Sequence, residues 1–146
     1  KFNVDELLKT IIKYLPEGGF YFDSDVVTSQ PEKFFVAEII RQNVLRQYKD
    51  EIPFSVYIDI DEFKERESGK DYIRASVIVE RDTQKAILIG ESGLKIKKLG
   101  EHSRKSIEEF LGRPVFLELF VKVRKDWKND DEFLKKNFNK FGTSVT

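Results

Sequence analysis

The chain contains no cysteine and no methionine, and it has one histidine and one tryptophan. Without thiols there is no disulfide and no thiolate metal site, and His102 alone is too few ligands for a structural zinc centre. The lack of cysteine suits a reducing compartment without establishing one. No apolar run approaches the roughly 18 residues of a membrane-spanning helix, and the N-terminus has no signal-peptide pattern. No Gly-x-x-x-x-Gly-Lys-Ser/Thr run occurs, so nothing here cradles a nucleotide triphosphate in the P-loop manner. A dinucleotide fingerprint is excluded too, because its third glycine is missing. Asp59, Asp61, Glu65 and Glu67 are spaced carboxylates with no ordered metal loop and no partner base, so catalysis is not expected of them.

What is present is a folded composition. The 146 residues are 40% hydrophobic and 36% charged, enough for one compact domain with decorations. The charges balance at 26 of each sign, but they are unevenly placed. Residues 1–80 hold 11 Lys/Arg against 16 Asp/Glu, while residues 81–128 hold 12 against 7. A basic patch on an acidic body fits binding to a polyanion. The chain opens on Lys1 inside a helical pattern, which we read as a fragment of something longer.

Apolar periodicity organises the rest. Leu7, Leu8, Ile11, Ile12 and Leu15 predict a helix over 4–15, ended by Pro16 and Gly18-Gly19. Residues 16–31 read as an irregular connection, with Phe20, Tyr21 and Phe22 pinning it to the core. A second helix is predicted from near Ser29, where Ser29 and Glu32 have capping-box spacing, to about Tyr48. Its face is Phe35, Val36, Ile39, Ile40, Val44 and Leu45. Alternation of Phe54, Val56, Ile58 and Ile60 with Ser55, Tyr57, Asp59 and Asp61 predicts a half-buried strand. Residues 64–71, around Ser68-Gly69, read as a hairpin connection into a strand through Ile73, Ala75, Val77 and Val79.

A short apolar helical run, Ala86–Ile89, leads to a longer helix over 94–111, with Ile96, Leu99, Ser103, Ile107 and Phe110 inward. Gly112 and Pro114 stop it. Val115 to Val123 alternate as a third strand, and residues 130–141 read as a short closing helix. Trp127 is expected to anchor the tail to the body. The order from Glu32 to Arg124 is helix, strand, strand, helix, helix, strand. That predicts an α+β fold of two layers, a three-stranded sheet covered by helices.

The strongest local signal is Ile89-Gly90-Glu91-Ser92-Gly93-Leu94-Lys95-Ile96. The glycines permit a tight turn between two helices and close approach of a phosphate backbone. The following helix offers free N–H groups. Lys95, Lys97 and Lys98 oppose the dipole at that end, which becomes sensible beside a polyanion. The turn is expected to be exposed, so side chains placed at both glycines should leave the fold intact.

With this order and turn the chain resembles a type II KH domain. More narrowly, it resembles the KH-bearing half of the Era family of GTPases. The matching stretches are Tyr14-Leu15-Pro16-Glu17-Gly18, the run Pro31 to Arg41, and the run Val79 to Gly90. Ile107 to Gly112 with Val115 to Leu119, and Val121 to Trp127, complete them. The likeness runs from Val4 to Phe138. It implies a connecting helix at 1–15, a KH domain at 16–128, and a short helix and tail at 129–146. Members of this family carry a GTPase domain before the KH domain, bind the 3′ region of small-subunit ribosomal RNA and assist small-subunit assembly.

For this chain the resemblance therefore implies single-stranded RNA, the 16S-like rRNA 3′ region, as partner. The small ribosomal subunit and the chain's own GTPase domain would be further partners. It implies no cofactor in this part, GTP and Mg belonging to a GTPase domain upstream, and a cytoplasmic location with peripheral membrane association left open. The expected RNA contacts are Arg81, Lys85, Ile87, Ile89, Gly90, Glu91, Ser92, Gly93, Lys95, Ile96, Lys98 and Leu99. Ile87, Ile89, Ile96 and Leu99 would form the apolar floor and the turn would grip the backbone. One departure stands out: the family carries Gly-Lys-Gly-Gly at the turn and this chain carries Gly-Glu-Ser-Gly. Glu91 thus opposes a phosphate where a lysine would attract it, with Arg81, Lys85 and Lys95 available to compensate. That favours one rival, a protein-interaction domain of KH fold with weakened RNA affinity. A helix-turn-helix DNA binder over 84–110 is disfavoured by the surrounding strands.

Overall fold

A computed structural model describes residues 3–19 and 31–139. The expected aromatic pins Phe20, Tyr21 and Phe22, the cap at Ser29 and the last residues of the tail lie outside that range. The elements are α1 (Val4–Tyr14), α2 (Glu32–Gln47), β1 (Tyr57–Lys64), β2 (Asp71–Val79), α3 (Asp82–Ile89), α4 (Leu94–Leu111), β3 (Val115–Val123) and α5 (Asp131–Asn139). Short 3₁₀ turns occupy Ile52–Phe54, Glu91–Gly93 and Trp127–Asn129.

The sheet order is β1-β2-β3. β1 and β2 pair antiparallel through the six-residue connection 65–70, while β2 and β3 run parallel, joined by the α3–turn–α4 crossover. A parallel pair needs such a crossover because a hairpin cannot reverse the chain twice. β2 is the central strand, and its residues Ala75–Val79 are buried on both faces. One face carries the main core, in which Val36, Ile40 and Val44 of α2 meet Ile73, Ala75 and Val77 of β2 and Leu99 and Ile107 of α4. This is the α+β, two-layer arrangement that the residue pattern predicts.

The opposite face is partly covered. Trp127 packs with Phe133 of α5 and Tyr57 of β1 over Ile78, with ring centroids 5.4–6.3 Å apart. α1 differs from the rest: it has no buried residue, and Leu7, Leu8, Ile11 and Ile12 are about half exposed.

Several expectations shift. Phe54 is not in the strand but in the 3₁₀ turn led by Ile52-Pro53, where it is 78% exposed. β1 begins at Tyr57, passes a register shift between Ile60 and Glu62, and continues to Lys64. Leu45 and Phe110 are largely exposed, while Ala37 and Asn43 of α2 are buried in their stead. Phe110 instead packs its ring, tilted, against Phe35 at 5.3 Å at the rim. Glu32 serves no described cap. It takes a two-pronged contact from Arg113, at 2.6 and 3.2 Å, and Pro31 stands at the N-cap. Arg113 also donates to the buried Asp71, which accepts the Arg66 N–H as well. Burial opposes ionisation of Asp71, but these donors outweigh it and hold its carboxyl below the usual carboxylate range.

Candidate nucleic-acid interface

The α3–α4 turn is built around three unusual backbone positions, Gly90, Ser92 and Gly93. Gly90 ends α3 at φ 70°, ψ −179°, a region that essentially only glycine occupies. Ser92 and Gly93 follow in left-handed conformations at φ 50° and 77°. Their hydrogen bonds close the turn: the Gly90 N–H donates to Ala86 O at 2.9 Å and the Gly93 N–H to Gly90 O at 3.2 Å. Glu91 and Ser92 stand exposed at the tip.

Gly90 is required for a second reason. A Cβ there would fall 2.6 Å from Lys95 Cγ and 2.8 Å from Lys95 Cβ, because the Lys95 stem lies directly over it. At Gly93 the nearest atom would be Ile96 Cγ2 at 4.0 Å. The two glycines are therefore not equivalent, and the expectation that both tolerate side chains is corrected for Gly90.

The turn is clamped from below by the end of α2. The Tyr48 hydroxyl donates to the carbonyl of Leu88, the penultimate residue of α3. Gln47 Nε2 donates to the carbonyl of Lys95, in the first turn of α4, at 2.7 Å, and to Tyr48 Oη at 3.1 Å. Two neighbouring side chains thus hold both helices flanking the turn. Burial pushes the Tyr48 hydroxyl above its ordinary pKa, the Gln47 amide acting weakly against it, so it is a neutral donor at all ordinary pH values.

Beside the turn runs an open groove of about 350 Å³ between α4 and β3. Its floor is Ile96, Gly100, Leu117 and Leu119, and its rim is Lys97, Glu101 and Arg104. Gly100 faces β3 in this groove: a Cβ there would make an ordinary contact, 3.8 Å, with Leu119 Cδ1. Arg104 also pairs with Glu108 at 2.8 Å.

The expected contact residues are dispersed. Gly90, Glu91, Ser92, Gly93, Lys95 and Ile96 do gather at the turn and the groove mouth. Leu99 does not reach any surface: it is wholly buried under α2 and the sheet, so it is core and not floor. Lys98 faces away from this groove, toward α2. Arg81 sits at the far end of α3, by Lys125 and Asp126, about 12 Å along the helix axis from the turn. Ile87 is 42% exposed and Lys85 and Ile89 half-buried on α3, none of them lining the groove beside Ile96. Lys85, Lys95, Lys97 and Lys98 form no ion pair among the described residues.

Sequence reasoning missed Gly100, Leu117, Leu119 and the Gln47–Tyr48 clamp. Gly100 carried a signal, since a glycine in mid-helix costs about 1 kcal/mol relative to alanine. His102 is exposed on α4, and Asp61 accepts from Ser76 Oγ and Lys122 Nζ. No three candidate metal ligands cluster among the described residues, and none of the described helices is long and apolar enough to cross a membrane.

Comparison with known proteins agrees with this geometry. The KH domain family matches residues 51–128, which span β1 through Trp127. GTPase Era of Geobacter metallireducens is 49% identical over 133 residues, covering 90% of this chain and 45% of the relative. GTPase Era of Lactobacillus delbrueckii subsp. bulgaricus is 50% identical over 132 residues, covering 90% and 44%. The chain spans less than half the length of these relatives. Among solved structures, Aquifex aeolicus Era bound to GDP·AlF4⁻ superposes with TM-score 0.83 at 39% identity, over 92% of this chain and 46% of that one. Era in complex with MgGDPNP and nucleotides 1506–1542 of 16S ribosomal RNA gives the same TM-score and identity, over 92% and 45%. The glycine turn between paired helices, the parallel β2–β3 pair and the matched residues concur: the chain belongs to the KH domain family, in the form carried by Era-family GTPases.

Proposed function

We propose that this chain binds single-stranded RNA in the α4–β3 groove, as the RNA-binding part of an Era-like GTPase acting in small-subunit assembly. The observation that carries this reading is the glycine turn set at the mouth of an apolar-floored groove flanked by unpaired lysines. Bases stack on or against the Ile96–Leu117–Leu119 floor, whose open side suits unstacked nucleotides. Glu101 on the rim accepts from exocyclic amino groups, as a carboxylate does from cytosine N4. The backbone passes the turn, where Gly93 has no side chain to hold a phosphate off, and Lys95 and Lys97 neutralise it.

The substrate follows from kinship. The related Era structure holds nucleotides 1506–1542 of 16S ribosomal RNA, which supports the 3′ region of small-subunit rRNA as the RNA bound in this reading. GTP hydrolysis, with its GTP and Mg, belongs to the remainder of the longer protein, and the cytoplasm and the small ribosomal subunit are where this reading puts it. Glu91 at the tip supports the rival protein-interaction reading, and the test turns on it.

Glu91→Lys removes a negative charge and adds a positive one beside the phosphate path. Exposed charges of this kind yield about 1 kcal/mol, roughly tenfold in affinity, at low ionic strength. Fluorescence anisotropy with a short rRNA 3′-end strand should show that gain, and it should shrink at high salt. Equal affinity of both proteins at every salt concentration would move the function to a protein partner.

A further inference from the structure

A second groove, of about 550 Å³, lies on the other side of α4 between it and α2. Its lining is Asn43, Arg46 and Gln47 from α2 and Lys98, His102, Lys105 and Ser106 from α4. It holds one arginine, two lysines and a histidine, and no carboxylate lines it. Arg46, Lys98 and Lys105 have no ion-pair partner among the described residues. The other cations of this molecule are often neutralised, as Arg41, Arg104, Arg113, Lys122 and Arg124 each hold an acid. Leaving three adjacent cations unpaired is costly through mutual repulsion unless an anion comes between them.

The placement is continuous with the turn. Gln47, which lines this groove, is the residue that bonds the Lys95 carbonyl at the start of α4. From Lys95 to Lys105 the helix rises about 15 Å, a distance over which a backbone presents several phosphates. Lys98, His102 and Lys105 recur at four- and three-residue spacing, so they form one stripe down that rise. Gln47 Oε1 is buried there without a hydrogen-bond partner, and a water or ribose hydroxyl entering the groove would satisfy it.

We propose that the α2–α4 groove is a second RNA-backbone site, which takes the strand flanking the nucleotides held at the Gly90–Gly93 turn. This rests on the RNA-binding reading above and extends it: the α4–β3 groove reads bases, and the α2–α4 groove adds length-dependent, sequence-independent affinity. The division gives Lys98 its role on the opposite side of α4 from the bases.

The test compares two single-stranded RNAs, one just long enough for the α4–β3 groove and one extended at both ends. The double variant Lys98→Gln/Lys105→Gln should bind the long RNA about tenfold more weakly at low salt and lower its salt slope by about 1.4, the value for two single-strand phosphates. Its affinity for the short RNA should stay within about twofold. A control with equal charge loss elsewhere, Lys70→Gln/Lys135→Gln, should leave both affinities in place. All four lysines are exposed, so circular dichroism should match the unaltered chain. Unchanged long-RNA affinity in the double variant would overturn the second site, including the case in which an acidic protein occupies the groove. Equal weakening toward both RNAs would overturn it too, by assigning Lys98 and Lys105 to the base-reading groove. If the unaltered chain binds neither RNA, the proposed function itself falls and the second site with it.

Discussion

Replacing each turn glycine with alanine separates backbone strain from close packing. At Gly93 the alanine would occupy a left-handed position with open space around its Cβ, 4.0 Å from the nearest atom. The cost is the ordinary left-handed penalty of about 1 kcal/mol. At Gly90 the backbone lies in a region that costs other residues about 1–3 kcal/mol. In addition the Lys95 stem must move, since its Cβ and Cγ lie within 3.0 Å of the new methyl. Overpacking of that kind adds about 1–3 kcal/mol, and it displaces the first turn of α4, which the Gln47 bond to Lys95 holds in place. Gly90→Ala should therefore cost about 3 kcal/mol and Gly93→Ala about 1. In urea, with a slope of about 2 kcal/mol per molar, the midpoints should fall by about 1.5 M and about 0.5 M. Equilibrium melts followed by far-UV circular dichroism give both shifts. A Gly93→Ala midpoint as low as that of Gly90→Ala, or lower, would refute the role given to Lys95.

Three further outcomes follow from the same structure. Tyr48→Phe leaves the Leu88 carbonyl without its donor, which should cost about 1–2 kcal/mol in urea melts and weaken RNA binding by loosening the turn; an unaltered melt would remove the clamp. Asp71→Asn should cost about 2–3 kcal/mol near neutral pH, because the Arg113 guanidinium loses a buried charged partner. The Asp71 carboxyl is held low in the folded state, so its stabilisation is complete above the ordinary carboxylate pKa of about 4 and is lost as pH falls through the depressed value. Urea melts from about pH 7 down to about pH 3 should narrow the gap between wild type and Asp71→Asn, and a constant gap would contradict the pairing.

The elements with strong local pattern were legible from residues alone. β3 carries Val115, Leu117, Leu119, Val121 and Val123 at every second position, and α4 lies between the left-handed cap glycines Gly93 and Gly112. β2 reads as an apolar strand because it is central, and the Gly90–Gly93 turn announces itself by composition. Periodicity says which residues share a face, because that follows from the helical or pleated repeat of one segment. It does not say what lies across from that face. Leu99 falls on the inward stripe that periodicity marks and Lys98 beside it does not. That Leu99 is wholly buried, and so not a groove floor, while Lys98 lines a groove against α2 follows from the packing of α2 on α4. Phe54 and Phe110 are apolar and in phase with their neighbours, yet Phe54 is 78% exposed and Phe110 meets only the rim ring of Phe35 among the described aromatic contacts. The α4–β3 groove needs Leu117 and Leu119 from a strand that joins only through the parallel pairing with β2. Tyr48 reaches Leu88 across 40 residues and Gln47 reaches Lys95 across 48. Such bonds depend on the docking of whole helices, which is decided by the summed burial of the core and leaves no mark in the local sequence at either end.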